Sequence, residues 1–475
     1  MLDYFINTAN DILWSYILIA LLLGLGLYFT IGTGFVQLRH LKEMFRVLKD
    51  KPAKAPDGSK QISSLQAFFV GAATRIGTGN VAGVATAIAA GGPGAVFWMW
   101  LVAVLGGASA FVESTLAQIY KAKDKVGFKG GPGYYMQKQL GAKWMSAIFA
   151  VTIILSFGLT FNAVQSNTIA SAFNNSFDMN PVVLGVVLAV LTGIIIFGGI
   201  TRIARFSEII VPFMAAFYIL LALYVMIVNF TQIPAVLTLI FKSAFGLEQV
   251  VGGGMGAAIM MGVKRGLFSN EAGMGSAPNA AATATVTHPV KQGFVQALGV
   301  FFDTLLVCSA TAFIILTSGA KPSEQLTGID LTQTAMGEHF GEWAGLFLAI
   351  AIFTFAFSSI IGSYYYGEAN ITFIHKSPKV LLTYRILALG MVVFGAVASL
   401  EIVWSLADLA MALMALTNLI AIMLLGKYAF AALKDYLAQR NQGKDPVFYA
   451  NSIPGLKGIE CWDEKPSAEK EQKGA

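Results

Sequence analysis

The chain has 475 residues, of which 56% are hydrophobic and only 12% are charged, and its formal net charge is +6. Its mean hydropathy is +0.68. Soluble domains carry about twice that share of charged residues, so the composition excludes an ordinary soluble protein and predicts one that crosses a membrane many times. The positive charge does not indicate nucleic-acid binding, because the basic residues lie in short loops between apolar stretches.

The first predicted span covers about residues 14–36, with Trp14 and Tyr16 where an interfacial aromatic belt is expected. Residues 1–11 contain no basic side chain, so we expect no cleaved signal peptide and a retained first span. Basic clusters after the first and third spans mark the cytoplasmic side: Arg39, Lys42, Arg46, Lys49, Lys51 and Lys54, then Lys121, Lys123, Lys125 and Lys129. The N-terminus is therefore predicted outside the cell and the C-terminus in the cytoplasm of a cell-membrane protein.

Ten further spans are predicted, at about residues 63–90, 95–120, 144–172, 181–200, 207–229, 250–284, 294–317, 343–369, 381–400 and 403–425. Residues 233–247 are too short and interrupted to cross, so they predict a helix on the outer surface. A polar outer loop is predicted around Lys321, Glu324 and Asp330.

The spans at 63–90 and 250–284 are both interrupted by glycines and polar residues. Without the first span, the other ten divide into two runs of five, each beginning with an interrupted span. Because five is odd, the two runs cross in opposite directions, as in an inverted-topology repeat. We therefore predict an all-α polytopic membrane protein with this division: an outer N-terminus and extra span (1–36), a cytoplasmic basic loop (37–61), the first five-helix repeat (62–229), an outer surface helix (230–249), the second five-helix repeat (250–426) and a cytoplasmic tail (427–475).

The first interruption runs from Thr74 to Asn80, inside a stretch that is otherwise apolar from Ile62 to Ala90. Open backbone at mid-membrane costs several kcal/mol per unpaired group, roughly, so it persists only beside protein, water or a ligand. The alternative is that the glycines merely permit close helix packing. The polar neighbours Thr74, Arg75 and Thr78 argue against that alternative.

A broken helix offers two oppositely charged ends. The amides that open the outer half-helix can receive a carboxylate; they belong to Thr78, Gly79 and Asn80. The carbonyls that close the inner half-helix suit a cation; they belong to Ala73, Thr74 and Ile76. The span at 343–369 adds hydroxyl oxygens at Thr354, Ser358 and Ser359, and residues 354 and 358 share one helical face. Alternatively, these hydroxyls bond carbonyls of their own helix.

The second interruption, residues 264–279, contains carbonyls and the side chains of Ser269 and Asn270, which could accept from an ammonium group. Arg75 and Glu271 are each costly at membrane depth, so we hypothesise that they pair with each other or with groups in water. Gln165, on the span at 144–172, is expected to face the site, although an interhelical hydrogen bond is an equal alternative.

Other polar residues in the spans predict structure rather than chemistry. We expect Glu113, Asp303 and Glu368 to be structural partners or gates. The four histidines show no metal spacing, and the two cysteines indicate no disulfide framework. Neither a nucleophile with a base nor a metal cluster is evident, so we expect no enzyme and no organic cofactor.

Three motifs carry a resemblance to the alanine or glycine:cation symporter family, whose members are similar in architecture to leucine-transporter-type carriers. They are residues 77–83 (GTGNVAG), 91–100 (GGPGAVFWMW) and 265–273 (RGLFSNEAG). The resemblance covers nearly the whole chain up to about Asn441. It implies a five-plus-five inverted repeat, a substrate carboxylate at Thr78 and Gly79, and a sodium site at the backbone of Ala73 and Ile76.

By the same resemblance, Thr354 and Ser358 complete the sodium site and Asn80 reaches a second ion. The predicted sodium ligands are then Ala73, Thr74, Ile76, Asn80, Thr354 and Ser358, and the predicted substrate contacts are Thr78, Gly79, Gln165, Phe268, Ser269, Asn270 and Met274. We expect a symporter that imports alanine or glycine with Na⁺, with no obligatory protein partner. A carrier of the same fold for glutamine or coupled to H⁺ is the nearest alternative; a channel or membrane enzyme is the alternative of another class.

Overall fold

The computed structural model describes residues 2–52, 61–124, 127–247, 254–323, 326–341 and 343–464. Lys54, Lys125, Glu324, residues 250–253 of the second interrupted span and residues 465–475 of the tail lie outside this part of the chain. Within the described residues, eight helices are long and apolar enough to cross a membrane: Ile6–Gly32, Gly94–Ile119, Lys143–Phe177, Gly199–Val228, Val290–Leu316, Trp343–Ile374, Pro378–Val397 and Leu400–Asn441. The chain is thus a helical, multi-pass membrane protein, as predicted.

Two further units are broken helices. The first broken helix (residues 64–91) consists of Ser64–Arg75, the π-helical Gly79–Gly83 and Val84–Gly91, and the second (residues 255–281) of Met255–Asn270 and Ala277–Ala281. The remaining helices are Val36–Arg39, Leu41–Leu48, Pro132–Lys138, Pro181–Ile196, the 3₁₀ turn Phe230–Gln232, Ile233–Ala244 and Gly328–Phe340. Three long helices contain π-helical turns, at Leu13–Leu18, Ile154–Thr160 and Phe302–Cys308. Strands Ala122–Lys123 and Phe128–Lys129 pair antiparallel.

Local chemistry explains where the first broken helix begins and stops. Ser63 caps it, because its hydroxyl accepts from the Gln66 N–H while the Gln66 side chain accepts from the Ser63 N–H, both at 3.1 Å. The inner half-helix stops at Arg75, since Ile76 is extended (φ −79°, ψ 92°). The predicted first interruption is therefore confirmed as a break in the helix.

The second break is shorter than the predicted run at 264–279. The helix continues through Asn270, and only residues 271–276 are unwound. Glu271 ends the helix in the left-handed conformation (φ 59°), and Gly273 and Gly275 follow with φ near 85°, which glycine adopts without steric cost. The polar residues before Glu271 remain helical. The unwound backbone coincides with the two glycines, Gly273 and Gly275.

Of two predicted connections, one forms the expected helix and the other differs from the sequence prediction. The helix Ile233–Ala244 packs beside the start of the long helix Gly94–Ile119, where Ser243 Oγ accepts from the Gly94 N–H at 3.1 Å. The predicted polar loop instead contains the helix Gly328–Phe340, which buries Ile329, Leu331 and Met336. This helix covers the first broken helix, because its Thr332 hydroxyl donates to the Val81 carbonyl at 3.3 Å.

Candidate functional site

The break in the first broken helix lies in the buried centre of the bundle. The Thr78 N–H donates to Gln165 Oε1 at 2.9 Å, and the Thr78 hydroxyl is buried without a hydrogen-bond partner among the described residues. Gly77 is required here, because a Cβ would overlap Ser359 Oγ and approach Gln165 Oε1. The structure thus brings Gln165 to the amide that was predicted to receive a carboxylate.

The hydroxyl of Ser359 reaches the carbonyls that close the inner half-helix. Ser359 Oγ lies 2.9 Å from the Ala73 carbonyl, 3.3 Å from the Ile76 carbonyl and 3.2 Å from the Phe355 carbonyl. The predicted hydroxyl pair is directed elsewhere: Thr354 donates to the Ala351 carbonyl, and Ser358 to the Phe355 carbonyl, both at 2.8 Å. Ser359 therefore takes the position that the sequence prediction gave to Thr354 and Ser358.

Thr74 and Asn80 are also occupied by protein contacts. The Thr74 hydroxyl donates to the Gly71 carbonyl at 2.8 Å. Asn80 braces the break, because its Oδ1 accepts from the Gly77 N–H at 2.9 Å and its Nδ2 donates to Asp303 Oδ1 at 2.6 Å. Asn80 therefore holds the backbone of the break in place, and its side chain does not join Ser359 at the Ala73 and Ile76 carbonyls.

A buried carboxylate holds the second break open. Glu113 accepts from the N–H groups of Gly273 and Gly275, at 3.1 and 3.0 Å, and from the Asn418 amide at 2.7 Å. Asp303 contacts the last turn of the helix Met255–Asn270, where its Oδ2 accepts from the Ser269 hydroxyl at 2.9 Å. The geometry gives Glu113 and Asp303 the role of structural partners.

Three residues of the second broken helix that were predicted to contact the substrate lie in different surroundings. Phe268 stands against the first break, because a Cβ on Gly79 would lie 3.1 Å from Phe268 Cδ1. Asn270 uses its side chain locally, accepting from the Ala272 N–H at 3.0 Å. Met274 is fully buried and its N–H donates to the Glu271 carbonyl at 3.2 Å.

Arg75 connects the two breaks, but not through the hypothesised partner. Its Nε donates to the Asn270 carbonyl at 3.0 Å and its Nη1 to Gln296 Oε1 at 3.1 Å. Glu271 instead accepts from the Ser276 hydroxyl at 2.6 Å. Among the ion pairs within 4.0 Å in the described part of the chain, Arg75 and Glu271 do not occur together.

An aromatic and ionic cover lies over one side of the site. The Phe268 ring is 4.5 Å from the Phe161 ring and 4.6 Å from the Trp404 ring. The Arg265 guanidinium stacks 4.1 Å from the Trp404 ring and forms a bidentate pair with Asp408, both N–O distances being 3.0 Å. Lys264 also contacts Asp408, at 2.8 Å.

The sequence prediction named Ser359 as a candidate hydroxyl but did not include it in the final set of ligands, and it assigned no role to Phe161 or to the set of Trp404, Asp408 and Arg265. One signal was present: Trp404 and Asp408 are four residues apart in an apolar span, and an acid there needs a basic partner. Lys264 and Arg265, two neighbouring basic residues of the second interrupted span, are the partners that Asp408 needs.

Two helices broken in the buried centre, with N–H groups that donate to side chains on one side of the break and carbonyls on the other, are typical of a secondary transporter for a solute and a cation. A solved structure, that of MhsT in complex with L-phenylalanine, shares this fold with a TM-score of 0.58. The likeness covers 79% of this chain and 96% of MhsT at 13% identity, so it concerns the fold alone. It agrees with the leucine-transporter-type architecture that the resemblance implied.

The chain belongs to the sodium:alanine symporter family, whose model matches residues 1–450. It is 57% identical over 464 residues to the amino-acid carrier protein AlsT of Bacillus subtilis (strain 168), covering 98% of both chains. It is also 57% identical over 462 residues to the probable sodium/glutamine symporter GlnT of the same organism, covering 97% of this chain and 96% of that one. Its function is therefore sodium-coupled symport of an amino acid, as predicted.

Proposed function

We propose that this symporter carries a small neutral amino acid, alanine or glycine, into the cytoplasm with Na⁺. The observation that carries the proposal is the helix start at Thr78, which presents an N–H and an unpartnered hydroxyl in the buried centre. A substrate carboxylate competes with Gln165 for the Thr78 N–H and gains the hydroxyl as a second donor. The site favours a small side chain, because Gly79 already lies in close contact with Phe268 and Ser269.

The sodium ion, in this proposal, binds at the opposite end of the break. The carbonyls of Ala73, Ile76 and Phe355 converge on Ser359 Oγ, and this set of oxygen donors fits a hard cation. The Ile76 carbonyl and the Thr78 N–H are two residues apart. Because both solutes hold the same short stretch of backbone, each favours the conformation that the other binds, which couples their transport.

Alternating access then opens and closes two paths around a fixed site. The pair of Arg265 and Asp408, together with Trp404, closes the path on the side that we propose faces the outside. We further propose eleven crossings: the eight long helices, Pro181–Ile196 and the two broken helices. The N-terminus is outside and the tail inside, and residues 62–229 and 250–426 form the two inverted repeats.

Glutamine is the second candidate substrate, because a relative with 57% identity is named a probable sodium/glutamine symporter. Uptake of labelled alanine into proteoliposomes distinguishes the two candidates. We expect an inward Na⁺ gradient, and not an equal K⁺ gradient or a pH gradient, to drive uptake, and unlabelled glycine to block it. Inhibition by glutamine but not by glycine would replace the substrate assignment and leave Na⁺ coupling in place.

The sodium assignment has its own test, with a matched control on the same helix. Ser359→Ala removes the hydroxyl that meets the Ala73 and Ile76 carbonyls, so we expect the Na⁺ concentration for half-maximal uptake to rise by about tenfold or more, the loss of roughly 1.4 kcal/mol. Thr354→Ala removes a hydroxyl bonded within its own helix and should leave this concentration nearly unchanged. Equal effects of the two variants would contradict the assignment.

A further inference from the structure

Two cavities follow one another between the inner half of the first broken helix and the long helix Gly199–Val228, and we refer to the two together as the groove. A polar cavity of about 680 Å³ includes Gln66, Arg202, Arg205 and Glu208 in its lining. An apolar groove of about 460 Å³ begins one turn further along both helices, and it is lined by Phe68, Phe69, Val211, Pro212, Ala215 and Phe302, among others.

The polar cavity is lined by arginine side chains that form few contacts with the rest of the protein. Arg205 is exposed, and no ion pair or hydrogen bond joins it to another described residue. Arg202 is also exposed and spends one nitrogen on the Ile194 carbonyl at 2.7 Å. The single carboxylate, Glu208, accepts from the Gln66 amide at 3.1 Å. Two guanidinium groups thus face an open cavity that holds one acid, and guanidinium groups match phosphate geometry.

The spacing between the two cavities matches one lipid leaflet. With a rise of about 1.5 Å per residue, Val211 and Leu220 lie about 9 and 22 Å along the helix from Arg205. Half of a bilayer with its headgroup region measures about 20 Å. The arginines therefore lie at headgroup level when the groove lies at acyl-chain depth, on the cytoplasmic side in the orientation proposed above.

We propose that this groove binds one anionic phospholipid of the cytoplasmic leaflet, with its phosphate at Arg202 and Arg205 and an acyl chain against Phe69 and Pro212. The polar cavity and the apolar cavity lie one after the other along the same two helices, and only an amphipathic anion fills both. The bound lipid packs on the inner half-helix Ser64–Arg75, which leads directly to the Ala73 and Ile76 carbonyls. It therefore braces that half-helix against Gly199–Val228, and transport depends on the anionic lipid content of the membrane.

The first experiment reports binding at the groove itself. Phe69→Trp places a fluorophore in the groove of the full-length protein, which is reconstituted in vesicles with acyl-brominated phosphatidylglycerol or acyl-brominated phosphatidylcholine at equal mole fraction. We expect the additional fluorescence, relative to the protein with Phe69, to be quenched severalfold more by the anionic lipid. The double variant Arg202→Gln/Arg205→Gln should abolish this preference, whereas the control Lys376→Gln/Lys379→Gln, which changes two exposed lysines elsewhere, should retain it.

Two outcomes would overturn the proposal. Equal quenching by both lipids in the Phe69→Trp protein identifies unselective lipid contact, and displacement of quenching by inorganic phosphate identifies a site for a soluble anion. A second measurement does not depend on the Trp variant: native mass spectrometry of the unmodified chain should retain one phosphatidylglycerol, and Arg202→Gln/Arg205→Gln should lose it. Binding is read without transport, so these results stand apart from the proposed substrate.

Discussion

Lys121 is a lysine that the fold buries almost completely at the end of the long helix Gly94–Ile119. Its Nζ donates to Gln118 Oε1 at 2.9 Å and lies 4.1 Å from the Phe128 ring and 4.4 Å from the Trp462 ring. Burial lowers the pKa of Lys121 to about 7, from an ordinary value of 10.5. Because no carboxylate contacts the amine at ion-pair distance in the described residues, its charged form is disfavoured in the folded protein.

This residue predicts a pH dependence of stability. Between pH about 7 and 10.5 the unfolded chain holds a proton on Lys121 that the folded protein does not, so stability rises with pH by up to about 1.4 kcal/mol per unit. Below that window both states are protonated and this slope vanishes. We expect the Tm of the wild type, compared with Lys121→Met, to rise from pH 7 to pH 10. The exposed Lys123→Met is the control; a Lys121→Met protein whose Tm runs parallel to the wild type would contradict the prediction.

At the scale of single residues, the sequence placed hydroxyl groups near the Ala73 and Ile76 carbonyls but did not decide which of them makes the contact. Thr354, Ser358 and Ser359 are all hydroxyls on one span, and neighbouring residues on a helix point about 100° apart. Only the rotation of this helix against the first broken helix decides which hydroxyl meets the Ala73 and Ile76 carbonyls. That rotation results from packing along the whole helix, and the local sequence does not encode it.

Among the elements, the second broken helix depends on a single acid from another helix. Glu113 accepts three hydrogen bonds there, two of them from the unwound backbone at Gly273 and Gly275. Glu113→Gln replaces one carboxylate oxygen by an NH₂ group, which leaves one of these buried donors facing another donor. We expect a loss of about 1–3 kcal/mol in stability and a strong reduction of sodium-driven uptake.

The measurement is Tm in detergent together with uptake in proteoliposomes. Glu338→Gln, which changes an exposed acid on the helix Gly328–Phe340, serves as the control and should behave like the wild type. If Glu113→Gln keeps the wild-type Tm and transports normally, Glu113 does not shape the break.

The elements that could be predicted from sequence are those with a strong local signal. The apolar spans are recognisable by their length and composition. The two breaks are recognisable because a membrane helix tolerates few glycine and polar residues in its middle. The helix Gly328–Phe340 lies where the sequence predicts a polar loop, because its polar face has the composition of a loop and its apolar face is recognisable only from its packing on the bundle. The sequence predicts Asn270 in the unwound segment, whereas the helix ends only after it, at Glu271; no local sequence signal distinguishes these two positions.

Across the whole molecule, the C-terminal segment 442–464 ties distant parts of the chain together at one end of the bundle. The Phe448 N–H donates to the Thr287 carbonyl and the Thr287 hydroxyl to the Pro446 carbonyl, both at 2.9 Å. Trp462 packs 5.2 Å from the Phe448 ring, and its indole N–H donates to the Gln118 carbonyl at 3.0 Å. The sequence predicted only a cytoplasmic tail here, because the contacts with Thr287 and Gln118 join residues more than 150 positions apart along the chain.

These contacts predict that the segment keeps this end of the bundle closed. It lies over Ala284, which is fully buried where the second broken helix leaves the core and whose neighbour Thr285 donates its N–H to the Ile62 carbonyl at 3.0 Å. The inner half of the first broken helix begins two residues after Ile62. Loosening the segment should therefore expose both broken helices to water on this side.

The test places a reporter thiol at Ala284→Cys in a background without the two native cysteines, Cys308→Ser and Cys461→Ser. With Phe448→Ala and Trp462→Ala added, we expect maleimide to label the reporter at least about tenfold faster and the Tm to fall, because two large apolar anchors are lost at about 3–5 kcal/mol each when fully buried and less when half-buried. Val447→Ala, an exposed neighbour, is the matched control and should label at the background rate. Labelling that stays slow without the two aromatic anchors would show that the helices themselves, and not the C-terminal segment, hold this end of the transporter shut.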